Sequence, residues 1–74
     1  MNGPLAIRLS KTFAARLTEE TDNADGQIRR AFQLALGRAP SAQEMTRSQA
    51  LVKQDGLATL CWGLFNASEF LHVD

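Results

Sequence analysis

The stretch from Gly56 to Asp74 gathers more apolar surface into one segment than a chain of 74 residues readily hides. A chain this short buries only roughly 60% of the surface it exposes unfolded. So thin a core rarely supplies more than about 3–5 kcal/mol without a covalent or metal staple. Cys61 is the single cysteine, so neither an internal disulfide nor a multi-cysteine zinc site can form within these residues. Stability must come from helix packing or from a partner, and the segment is expected to be a piece of something larger.

Within that stretch Leu57, Leu60, Cys61, Leu64 and Phe65 recur at i, i+3, i+4, i+7 and i+8, the spacing of one buried helix face. Ser68 and Leu71 extend it weakly. Trp62 and Phe70 fall on the other side, near the small Gly63. A helix apolar on two faces normally lies between two layers, which four short helices do not comfortably provide.

Three further helices are expected before it. Pro4 suits the first position of helix one, where its missing N–H would be unpaired in any case, with Asn2 or Gly3 as the cap. Leu5, Leu9, Phe13 and Leu17, with Ala6 beside them, form a single apolar stripe, and Ile7 lies off it. The run Thr21-Asp22-Asn23-Ala24-Asp25-Gly26 is rich in turn formers and should end helix one and cap helix two. Helix two runs from about Ala24 to Leu36. It buries Ile28, Ala31, Phe32 and Ala35, is flanked by Leu34 and Leu36, and presents Arg29, Arg30 and Gln33 on the opposite side.

Gly37 supplies the left-handed residue after helix two, and Pro40 prevents the helix from resuming at once. Ser41-Ala42-Gln43-Glu44 fits a capping box, in which the Ser41 hydroxyl accepts from the Glu44 amide while the Glu44 carboxylate accepts from the Ser41 amide. Helix three continues to about Gln54 with the sparse apolar set Met45, Leu51 and Val52, so it should be the most exposed. The expected fold is all-α: a small four-helix bundle in one domain over residues 1–74, with a helix-turn-helix at the Gly37–Ser41 turn.

Eight Lys and Arg balance eight Asp and Glu, far from the basic excess of most nucleic-acid-binding domains. The longest apolar run is broken by Asn66 and Glu69 and falls short of the roughly 20 residues of a membrane span. Neither nucleic acid, membrane nor small molecule is expected as a partner.

The run from Ile28 through Arg30-Ala31-Phe32-Gln33-Leu34-Ala35-Leu36-Gly37-Arg38-Ala39-Pro40-Ser41 to Glu44, followed by Leu60-Cys61-Trp62-Gly63-Leu64-Phe65-Asn66-Ala67-Ser68-Glu69-Phe70-Leu71-His72-Val73-Asp74, resembles the C-terminal region of a planctomycete-specific domain of unknown function. The opening Met1-Asn2-Gly3-Pro4-Leu5 and Phe13-Ala14-Ala15-Arg16-Leu17 look like the helix preceding it. The resemblance implies a C-terminal fragment of a large exported protein, often one with a cytochrome-c-like segment. It implies no activity. The chain has no C-x-x-C-H, so no haem attachment carries over, and His72 stands where the family often has Tyr. The turn also looks distantly like small helical repeats of bacterial surface proteins. Leu36 to Glu44 is similar to a helix-turn-helix segment of bacterial primary sigma factors.

Candidate sites are few. A calcium loop centred on Gly26 would need a bidentate Glu where Phe32 stands, so Asp22, Asn23 and Asp25 read as a capping turn. Arg29, Arg30 and Arg38 read as a solvated face near Asp22 and Asp25. Arg38 is distinguished by its tight turn, where a guanidinium forks onto helix-end carbonyls or Glu44. Glu44 and Glu69 are acids by type, but no His, Ser or Cys stands where it would complete a mechanism. Cys61 reads as a small hydrophobe. No catalytic residue, metal ligand or cofactor is assigned. Ser41, Glu44 and Gly37 are expected as structural caps, and Trp62, Phe70, Leu71 and Val73 as an interface with the rest of the parent protein or a second copy, aromatic groups being common interface anchors. The expectation is a non-catalytic packing module. The alternative is a helix-turn-helix nucleic-acid binder, though helix three offers only Arg47 and Lys53 as cations.

Overall fold

In a computed structural model, which describes residues 3–71 with side chains as far as Ala67, the chain folds into four helices. They are α1 (Pro4–Glu20), α2 (Ala24–Leu36), α3 (Ala42–Asp55) and α4 (Leu57–Leu71). There is no strand among the described residues, and the all-α bundle expected from the residue pattern is what forms. Each boundary has a local cause. Pro4 opens α1 behind Gly3, which makes no side-chain cap. The Asn23 side chain caps α2 by accepting from the Gly26 amide at 3.1 Å. Gly37, at φ 73°, closes α2 in the left-handed region, and Gly56, at φ 97°, is the single residue between α3 and α4. A side chain rarely tolerates either conformation.

α4 touches all three other helices, most extensively α1. Around it the buried core gathers Ala14 and Leu17 of α1, Ile28, Ala31 and Phe32 of α2, and Leu60, Cys61 and Leu64 of α4. α3 contributes half-buried Met45, Leu51 and Val52, and Ser48 is its one buried residue. It is therefore the lightly buried helix that its sparse apolar set predicts.

The stripe expected on α1 is corrected by the packing. Leu17 is fully buried and Phe13 half-buried, but Leu9 is 44% and Leu5 66% exposed. The buried face runs instead through Ala6, Ser10, Ala14 and Leu17. Helix geometry explains the difference: at 3.6 residues per turn a row spaced by four drifts about 40° per step, so Leu5 lies about 120° around the helix from Leu17. Spacings of four, four and three hold one line. They also place the smallest side chains on the face laid against the core, letting α1 and α4 approach closely. No described helix is long and apolar enough to cross a membrane.

Candidate functional site

The part of α4 whose side chains are described, Leu57 to Ala67, contains no charged residue, and there Trp62, Gly63 and Ala67 are exposed. Where α1 lies over α4, a groove of about 300 Å³ opens between Ile7, Ser10 and Lys11 on one side and Ala58, Thr59 and Trp62 on the other. Ile7 is 50% and Trp62 36% exposed. Both hydroxyls in the groove are turned inward: Ser10 Oγ donates to the Ala6 carbonyl at 2.8 Å and Thr59 Oγ1 to the Asp55 carbonyl at 3.1 Å. With those donors spent on their own helices, the groove offers a mostly apolar surface on which Lys11 is the one charged group among the described residues.

A second cleft, of about 330 Å³, lies on the other flank of α1 between Phe13, Arg16, Glu20, Arg30, Leu34 and Phe65. The Phe13 and Phe65 rings stack at 5.2 Å between centroids and 21° between planes. Arg30 Nε donates to Glu20 Oε1 at 3.1 Å. The carboxylate facing Arg30 is thus Glu20, where the sequence suggested Asp22 or Asp25, because the bend at residues 21–23 sets the end of α1 beside α2. Asp25 instead accepts from Gln49 of α3 at 2.8 Å.

At the α2–α3 turn the Ser41–Glu44 capping box forms, and Arg38 joins it. Its Nη1 donates to Glu44 Oε1 at 2.7 Å and its Nη2 to Oε2 at 2.8 Å. The hydrogen bonds from Arg38, then the one from the Ser41 amide, hold the Glu44 carboxyl down at about 2. The same pairing raises the pKa of Arg38, whose guanidinium also stands 6.0 Å from the Phe32 ring centre. A carboxylate committed to three donors and ionised so firmly has no proton to give near neutral pH, so Glu44 is a structural group.

Cys61 is wholly buried in the core, and burial pushes its thiol up to about 11. The nucleophilic form is scarce at neutral pH and sterically shut in. Among the described residues no group of three or more His, Cys, Asp or Glu stands together as metal ligands.

Of the four interface candidates, Trp62 lies in the α1–α4 groove. The side chains of Phe70 and Leu71, and all of Val73, lie outside the described residues, as do the Glu69 side chain and His72. Sequence reasoning missed Lys11 and Ser10 as groove residues. The signal for Ser10 was its place four residues from both Ala6 and Ala14. On α3 the residues Ala42, Gln43, Thr46 and Arg47 line an open depression in which Arg47 is the charged group among the described residues.

No protein-family model matches the chain, and neither a curated protein nor a solved structure matches it.

Proposed function

We propose that this chain is a non-catalytic helical packing module, the C-terminal end of a larger exported planctomycete protein, which positions neighbouring polypeptide through the face around Trp62. The observation that carries this reading is the chemistry of α4: eleven consecutive residues without charge, Leu57 to Ala67, including an exposed tryptophan beside an apolar groove. A solvated helix face usually carries charged groups, and a large aromatic left half-open at a groove has the character of an interface anchor. Of the groups that residue type suits to chemistry, Glu44 is occupied by a cap and Cys61 by the core, and the side chain of Glu69 lies outside the described residues. The sequence resemblance supplies the parent protein and its export.

The nucleic-acid alternative draws no comparable support. One cation in the depression on α3, in a chain of zero net charge, is a poor match for a phosphate backbone.

Footprinting by hydroxyl radicals with mass spectrometry tests the reading. Trp62 is expected to oxidise readily in the 74-residue chain and to be protected several-fold in the polypeptide encoded by the complete reading frame. Equal oxidation in both, or a reading frame that adds nothing to these residues, overturns it.

A further inference from the structure

Gly56 joins α3 to α4 at φ 97° and ψ 161°, a backbone region that glycine enters freely and other residues rarely do. Asp55, just before it, is the last residue of α3 and is exposed. A carboxylate there faces the negative end of the helix dipole. The joint therefore asks for the glycine and not for the acid. Together they make an Asp-Gly pair, in which the following amide attacks the side-chain carboxyl most readily, because glycine sets no side chain over the nitrogen.

The chemistry needs only water. The Gly56 nitrogen adds to the side-chain carboxyl carbon of Asp55, a C–N bond forms, and the carboxyl hydroxyl leaves as water with the amide proton, closing a five-membered succinimide. Water then opens the ring. Addition at the side-chain carbonyl restores aspartate. Addition at the main-chain carbonyl leaves Gly56 joined through the side chain as isoaspartate, an isomer of equal mass with one more methylene in the backbone.

The fold opposes ring closure. Asp55 is helical, and the ring needs a ψ at that residue far from the helical value. The Gly56 N–H, whose proton must depart, donates to the Val52 carbonyl at 2.9 Å. A second bond crosses the joint, from Thr59 Oγ1 to the Asp55 carbonyl at 3.1 Å. Beyond it α4 is fixed by Leu60, Cys61 and Leu64, all buried in the core.

We infer that Asp55–Gly56 is a site of spontaneous isoaspartate formation that the fold holds shut and that opens when α4 leaves the core. The added methylene then sets the two bonds across the joint out of register, so α4 redocks weakly. The modification accumulates in chains that have opened and marks them. This inference is independent of the packing-module reading.

Incubation of the 74-residue chain and of a peptide spanning Lys53 to Ala58, for days in one neutral buffer, tests it. Isoaspartate at residue 55 is read by electron-transfer fragmentation in a mass spectrometer. The folded chain is expected to isomerise at least about tenfold more slowly than the peptide, the protection that docking of α4 confers. Leu64→Ala, which loosens α4, is expected to move the rate toward that of the peptide, and Gly63→Ala, which firms the helix, to slow it further. The chain modified at Asp55, separated from the parent, is expected to melt about 5 °C lower.

Equal rates in chain and peptide overturn the gate, and a peptide that forms no isoaspartate overturns the site. A rate that ignores both Leu64→Ala and Gly63→Ala overturns the control by α4. An unchanged melting temperature after modification overturns the weakened redocking.

Discussion

Arg38 and Glu44 meet as a fork, Nη1 to Oε1 at 2.7 Å and Nη2 to Oε2 at 2.8 Å, while the same Oε1 accepts the Ser41 amide at 2.8 Å. One carboxylate thereby closes the turn after α2 and caps the start of α3. Paired bonds of this geometry combine charge with direction, so the two helices are tied at their junction as well as through their apolar contacts.

That tie has an acid limit. The Glu44 carboxyl is lowered from 4.5 to about 2 in the folded chain, so its contribution to stability is fully present above 4.5 and is lost as pH falls toward 2. Thermal midpoints measured across that window are expected to fall, and Glu44→Gln, which can still cap but carries no charge, is expected to flatten that part of the curve. An NMR titration of the Glu44 carboxyl with a midpoint near 4.5 contradicts the fork.

The rotation of α1 separates residues that look alike in sequence. Leu17→Ala removes a fully buried side chain and is expected to cost about 2–5 kcal/mol. Leu9→Gln, on the exposed flank, is expected to stay within about 0.5 kcal/mol of the parent. Urea denaturation of the two variants decides it, and similar losses would restore the single stripe through Leu5, Leu9, Phe13 and Leu17.

Two glycines should respond to alanine in opposite directions. Gly37, at φ 73°, is expected to lose about 1–2 kcal/mol when a Cβ is forced into the left-handed region. Gly63, helical and unobstructed, is expected to gain about 1 kcal/mol from Gly63→Ala. A loss at Gly63 in the isolated chain would reveal an internal constraint there.

Cys61 should be chemically silent while the fold is intact. Its thiol stands at about 11, against an ordinary 9.0. Iodoacetamide labelling at neutral pH is therefore expected to follow unfolding, rising in urea with the same midpoint as the loss of helix. Because the folded value is the raised one, this thiol contributes stability fully below pH 9, and that contribution declines between 9 and 11 as the unfolded chain ionises first. Prompt labelling of the native chain would place Cys61 at the surface.

The caps were legible because their chemistry is local. Asn23, Gly37 and the Ser41–Glu44 box act within a few residues of themselves, and the helix limits follow from them. The core positions of α2 and α4 were legible for a similar reason: Ile28, Ala31 and Phe32, and Leu60, Cys61 and Leu64, repeat at the helical period. Trp62 was visible as an aromatic off the core face. Lys11 and Ser10 were not visible as its neighbours, since they are distant in sequence and meet α4 only after three turns have been made.

Sequence by itself determined four helices, their ends and the apolar excess of the last one, because hydrogen-bond caps and the 3.6-residue period are properties of short segments. Tertiary packing alone decided how α1 rotates. Close approach to α4 favours the small line Ala6, Ser10 and Ala14 over the larger Leu5 and Leu9, and that choice opens the groove beside Trp62. Which apolar side chains a bundle leaves outside depends on how helices from distant parts of the chain fill a shared volume, and no single segment carries that information.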